Sequence, residues 1–153
     1  MGEHAYLSMP MTAFFASRQC PGVAIRAATD WAQQQAKSSQ AVISGFHSPL
    51  EQSVLQILLQ ARSPVVAVLA RPLTGAQFPA HWKEAITSGK MAVISVTATP
   101  ARLTIERAIQ RNDLAARLAK TIVVAYASNS GTLAKQLNSW LAQGWLIKKL
   151  ADF

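Results

Sequence analysis

Two kinds of residue in this chain suit anion binding: arginines placed just after apolar runs, and small-residue turns that open helices. The clearest turn is Ser44-Gly45-Phe46-His47-Ser48-Pro49-Leu50-Glu51. Ser48 and Glu51 form a Ser-x-x-Glu capping box, and Pro49 suits the first helical position, so a helix begins there abruptly after an apolar run. A strand that turns this sharply into a helix leaves backbone N–H groups and the positive end of the helix dipole at one point, which suits a phosphate. An ordinary strand–helix turn carries the same signature. Phe46 can stack on a base or plug the core. His47 can hydrogen-bond a ligand or complete the turn.

Three further segments carry related chemistry. Ser17-Arg18-Gln19-Cys20-Pro21-Gly22 leaves the first apolar run through a tight Pro-Gly exit, with Arg18 able to meet a phosphate or carboxylate in a bidentate fork. Arg71 directly follows another apolar run and precedes Pro72. Ser128-Asn129-Ser130-Gly131-Thr132 combines hydroxyls, an amide and a glycine, a composition from which backbone anion nests are built. Arg107 and Arg111 are four apart and share a helical face; such a pair is usually a solvated stripe.

The elements that position these turns alternate. Thr12–Ala16, Ala41–Ser44, Pro64–Ala70, Met91–Val96 and Thr121–Ala127 read as strands, with Trp145–Leu150 as a short last one. Helices are expected over Gly22–Lys37 (Val23, Ala24, Ala27, Ala28 and Trp31 inward), Pro49–Ala61 (Leu50, Val54, Ile57, Leu58 and Ala61 inward) and a short stretch around Trp82–Thr87. A further helix spans 100–119, starting at Thr99-Pro100 with a candidate break at Gln110–Asn112, and the last covers Thr132–Gln143 before Gly144. The alternation predicts an α/β fold: a doubly wound, three-layer αβα sandwich on a mostly parallel sheet of five or six strands. Residues 1–153 form one domain in this reading, with 1–11 as an N-terminal extension. Ligands of such sheets bind at the carboxyl ends of the strands. That edge collects Ser17, Arg18, Ser44, Gly45, Phe46, His47, Ser48, Arg71, Arg111, Asn112, Ser128, Ser130, Gly131 and Thr132 as the expected phosphate or nucleic-acid contacts.

Composition narrows the partner. Fifteen Lys and Arg against seven Asp and Glu give a net charge of +8, although only 14% of residues are charged. That balance suits a polyanion. One cysteine, Cys20, allows no internal disulfide, and three dispersed histidines give no zinc spacing. No apolar run reaches membrane-spanning length and no secretory pattern opens the chain, so a cytoplasmic setting without membrane association is expected. Dinucleotide, phosphate-loop and nucleophile-elbow glycine motifs are absent, and acidic residues are few. No catalytic residue, metal or cofactor is expected.

Taken in order, the motifs resemble the Rossmann-type domain of the bacterial DNA-processing protein A (Smf) family. Val42-Ile43-Ser44-Gly45 is similar to its Val-Ser-Gly turn, and Pro64–Ala70 with Arg71-Pro72 to its next strand and loop. Arg111-Asn112-Asp113-Leu114 with Leu118-Ala119-Lys120, and Ser130-Gly131-Thr132-Leu133, resemble two later family elements. Phe46-His47-Ser48-Pro49-Leu50-Glu51 replaces the usual Ala-Arg-Gly-Ile-Asp and resembles a branch of small stand-alone relatives. The replacement removes an arginine that would hold a DNA phosphate. The helical and winged-helix domains that flank the full-length family do not fit in 153 residues. The resemblance implies binding of single-stranded DNA or a nucleotide by a homodimer or higher homo-oligomer. The alternative is a small-nucleotide sensor, or a nucleotide-processing enzyme of the same superfamily like the lysine-decarboxylase-like phosphoribohydrolases. In their Pro-Gly-Gly-x-Gly-Thr-x-x-Glu motif the carboxylate falls at Lys135 of this chain.

Overall fold

The computed structural model describes residues 1–99 and 104–153. Six strands are described: β1 (Met11–Ala16), β2 (Ala41–Ser44), β3 (Val65–Leu69), β4 (Met91–Ser95), β5 (Thr121–Tyr126) and β6 (Ile147–Lys149). They form one sheet in the order β4-β3-β2-β1-β5-β6, with every pairing parallel. Five α-helices alternate with them: α1 (Gly22–Gln35), α2 (Pro49–Gln60), α3 (Ala80–Thr87), α4 (Ile105–Leu118) and α5 (Thr132–Ala142). This is the three-layer, Rossmann-like sandwich expected from the alternation.

The strands are apolar on both faces because helices cover both. Phe14, Val42, Val65, Ala67 and Val123 face Ala28, Ala32, Leu55, Leu58 and Trp82 on one side. Ala13, Phe15, Ile43, Val66 and Val124 face Ala115, Leu133, Leu137 and Trp140 on the other. The period of two along each strand thus divides one run of apolar residues between two cores. α1, α2 and α3 build the first core; α4 and α5 build the second.

Several expectations shift in detail. α1 buries Ala24, Ala28 and Ala32, whereas Val23 is 62% exposed, because the helix presents a stripe of alanines to the sheet. Small residues let α1 approach α2 and β5 closely. On α2, Leu55 is buried and Ala61 is exposed, since Ala61 is the C-cap and lies past the covered face. α4 runs unbroken through Gln110–Asn112, and Thr104 caps it by accepting from the Arg107 N–H at 3.1 Å. Pro100 and residues 101–103, part of the expected helix start, lie outside the described residues. The first residues are tied to the sheet. A 3₁₀ turn spans His4–Ser8, Gly2 bridges Ala92, and the Glu3 N–H donates to the Met91 carbonyl at 3.2 Å. The segment thereby covers the unpaired edge of β4.

Trp140 is the largest fully buried side chain, with its ring 5.0 Å from Phe15 and 6.3 Å from Trp145. Its indole N–H donates to Asp113 Oδ1 at 2.9 Å, which joins α5 to α4. Trp140→Ala is expected to destabilise the fold by about 3–5 kcal/mol in urea denaturation. Trp31→Ala, at a half-buried ring stacked on Phe14, is expected to cost less.

Candidate functional site

The sheet order reverses beside β1: β2, β3 and β4 extend to one side of it, β5 and β6 to the other. The loops leaving β1 and β5 therefore diverge from neighbouring strands and open a crevice at the carboxyl edge. A hydrogen bond straps its floor, where the Ser128 N–H donates to Ser17 Oγ at 2.9 Å. Cys20 closes the first of these loops by donating its thiol to the Ser17 carbonyl at 3.2 Å.

The β2–α2 turn forms the crevice's other wall, and the amides of Phe46, His47, Ser48 and Glu51 in it are already taken. Ser44 Oγ takes the Phe46 N–H at 3.1 Å, and Ser48 Oγ takes the Glu51 N–H at 3.3 Å. Glu51 Oε1 takes the His47 and Ser48 N–H groups at 2.9 and 3.2 Å, while Oε2 reaches Ala16 N–H at 3.0 Å. The capping box read from the sequence is present, but a buried internal carboxylate fills the position expected for a phosphate. Burial pushes the Glu51 carboxyl above its ordinary range; the N–H donors of Ala16, His47 and Ser48, and then Arg111, pull it back down. Phe46 sits at φ +48°, a strained conformation for a bulky residue, and its buried ring joins the core.

The β5–α5 turn differs. Gly131 is the N-cap of α5, and among the described residues no side chain caps the helix. Its first-turn N–H groups lack partners within the helix. Gly131, Thr132 and Leu133 line a cavity of about 490 Å³, together with Ser17, Arg18, His47, Ser48, Arg111, Asn112 and Ser128. Ile105, Ala108 and Ile109 of α4 add an apolar flank.

Arg111 reaches this cavity because α4 crosses the sheet between β4 and β5 and passes above Gly45. A Cβ on residue 45 would lie 2.5 Å from Arg111 Nε and 2.7 Å from Cδ, so a larger residue there would push the arginine side chain out of this position. Arg111 is buried, contrary to a solvated helical stripe, and a relay of polar groups holds it. Nε donates to Asn112 Oδ1 at 3.3 Å, Asn112 Nδ2 to Gln136 Oε1 at 3.1 Å, and Gln136 Nε2 to Asp113 Oδ1 at 3.2 Å. Burial lowers the guanidinium pKa and Glu51 raises it. His47, beside both arginines, is held below its ordinary 6.5 by burial first, then by Arg111 and Arg18.

Not every expected residue meets at one place. Arg71 lines a second cavity of about 370 Å³ with Gly45, Phe46, His47, Phe78, Trp82 and Arg111. Its guanidinium donates to the Gln77 carbonyl at 2.7 Å and lies 6.0 Å from the Phe78 ring, which draws it away from Arg18. Ser44 and Ser130 line neither cavity, since Ser44 is fully buried beneath the turn and Ser130 faces outward. Gln136, Ile105 and Ile109 were not singled out from the sequence; a polar residue on the inward face of α5 is the signal that marks Gln136.

The family model described as DNA recombination-mediator protein A matches residues 1–140. No curated protein sequence matches the chain. DNA processing protein A of Streptococcus pneumoniae has the same fold, with a TM-score of 0.79 at 18% identity, covering 97% of this chain and 52% of that one. This chain thus spans about half of the pneumococcal protein. DNA processing protein A of Helicobacter pylori, described with a single-stranded DNA binding mode, gives 0.71 at 14% identity, covering 99% and 80%. The molybdenum cofactor carrier protein of Chlamydomonas reinhardtii gives 0.64 at 13%, covering 92% and 76%.

Glu51→Ala is expected to leave the Ala16, His47 and Ser48 amides unpaired in a buried setting and to destabilise the fold by at least about 3 kcal/mol. Glu51→Gln, which keeps one acceptor oxygen, is expected to cost less. Chemical denaturation of the two variants against wild type checks the order.

Proposed function

The chain belongs to the DNA recombination-mediator protein A family, and on that footing we propose that it binds the phosphates of single-stranded nucleic acid in the 490 Å³ cavity. The observation that carries the reading is the convergence of Arg18, Arg111 and the uncapped N-terminus of α5 on one crevice. Guanidinium forks and helix N-terminal N–H groups both suit a phosphate. The net charge of +8 supports attraction of a polyanion over distance. Exposed Leu118, Leu141 and Leu146 support self-association as part of the same proposal.

The cavity's size supports a second reading, a small-nucleotide sensor, because volumes of roughly 300–1,000 Å³ are those of small-ligand sites. Salt separates the two. A strand releases counterions from many phosphates, and each lost contact flattens the log–log slope by about 0.7. Arg18→Ala is expected to weaken binding of a short oligodeoxythymidylate about tenfold in fluorescence anisotropy, with a slope shallower by about that amount. Saturable nucleotide binding with little salt dependence, and no oligonucleotide binding at low salt, would favour the sensor.

The His47 imidazole provides a pH signature. Held low by burial and two arginines, it is neutral at pH 7 in the free protein. A bound phosphodiester offsets both cations and raises its pKa, so binding takes up a proton. Affinity for the oligonucleotide is expected to rise as pH falls from about 7 and to level off below the free-state value, which lies under 6.5. His47→Gln is expected to remove that rise.

A further inference from the structure

The loops that lead into the strands lie at the opposite, amino edge of the sheet, and their charge is one-sided. Arg62 precedes β3, Lys37 precedes β2, Arg117 and Lys120 precede β5, and Lys148 lies in β6; all five are exposed. In sheet order they run along four strand spacings of ~4.8 Å, roughly 19 Å in all. The seven carboxylates stand elsewhere. Glu51 and Glu106 are at the carboxyl edge, and Asp152 follows β6. Glu3 and Glu84 lie near Gly89 and Lys90, at the β4 end. Asp113 is taken by Trp140 and Gln136, and Asp30 sits about two turns before Lys37 on α1. Complementing the helix dipoles accounts for only part of the row, because a helix C-terminus carries about half an elementary charge. Arg62 also holds φ +56°, a left-handed conformation in which glycine is the unstrained residue, so this cation stands there at a backbone cost. Where the row nears β6 it meets a cavity of about 230 Å³ whose lining includes Arg117, Lys120, Ile122 and Trp145. Trp145 is half-buried, stacked on Trp140, and fixed by its backbone N–H on the Trp140 carbonyl at 3.1 Å.

We propose that this amino edge is a second contact surface for single-stranded nucleic acid, separate from the crevice at the carboxyl edge. Arg62, Lys37, Arg117 and Lys120 meet the phosphates, and Trp145 offers a face on which a base stacks. That the polyanion is nucleic acid rests on the phosphate reading above; the row of cations does not. A line of cations with an aromatic ring beside it is how strands are held without sequence preference. The two edges lie at opposite ends of the strands, so one protomer holds two strand segments that do not compete.

The test is a fluorescence-anisotropy titration of a short oligodeoxythymidylate at low salt, read for strands bound per protomer. Wild type is expected to saturate at two strands, and the triple variant Lys37→Gln, Arg62→Gln, Lys120→Gln at one. Arg18→Ala is expected to weaken only the strand that the triple variant keeps. Lys120→Gln alone is expected to flatten the log–log salt slope of the other strand by about 0.7. Trp145→Leu is expected to weaken that same strand about tenfold, and Trp145→Phe to retain it. Thermal melting of each variant checks that the fold is intact. Two strands bound by the triple variant, or a single wild-type strand that the triple variant still binds, would overturn the second surface. Displacement of the second strand by poly-glutamate of equal charge and concentration would also overturn it, since the edge then suits an acidic protein. A single wild-type strand lost in the triple variant and unaffected by Arg18→Ala would keep the amino edge and overturn the phosphate reading. No binding by wild type would overturn both.

Discussion

A buried carboxylate organises the carboxyl edge of this sheet. Glu51 sits in the first turn of α2, where a negative charge meets the helix dipole favourably, and it accepts N–H groups from the end of β1 and from the β2–α2 turn. It ties two adjacent strand ends and one helix together through three hydrogen bonds. Burying such a group is costly unless its acceptors are satisfied, and here they are. Because Glu51 uses the amides of its own turn, no phosphate can use them. Among the described residues the N-terminus of α5 has no such side-chain partner, so its first-turn N–H groups are the ones left open at this edge.

The second constraint is the crossover between β4 and β5. Joining an edge strand to the far side of β1 requires α4 to lie across the sheet, and that path carries Arg111 over Gly45. The glycine is needed for contact, not for its own backbone freedom. Arg111 is then oriented by a chain of side chains ending at Trp140, a core residue on α5. A buried polar chain of this kind rigidifies only when each member has a partner, and each link has one. The cation at the site is therefore coupled to the packing of the second core.

Two compartments of unlike chemistry follow from these placements. The switch point between β1 and β5 opens a crevice walled by arginines and helix amides. One turn away, the β3–α3 loop folds Phe78 against Trp82 and turns Arg71 toward that aromatic pair. His47 and Arg111 stand between them, which gives the edge one charged side and one aromatic side.

The chain's local pattern by itself determined the order and type of nearly every element. Runs such as Val65–Leu69 are apolar at every position, and the capping box at Ser48 and Glu51 marks a helix start that local chemistry alone dictates. It also determined that arginines and small-residue turns gather at one sheet edge, because strand-to-helix turns of a parallel sheet share that edge. It did not determine which groups there are free. Whether an N–H is available depends on whether a side chain distant in space takes it, as Glu51 takes that of Ala16, 35 residues away. Arg111, spaced like a solvated residue, is buried because α4 crosses Gly45, and Arg71 leaves Arg18 because Phe78 and Gln77 hold it. Those outcomes depend on contacts between elements far apart in the chain, which only the tertiary structure decided.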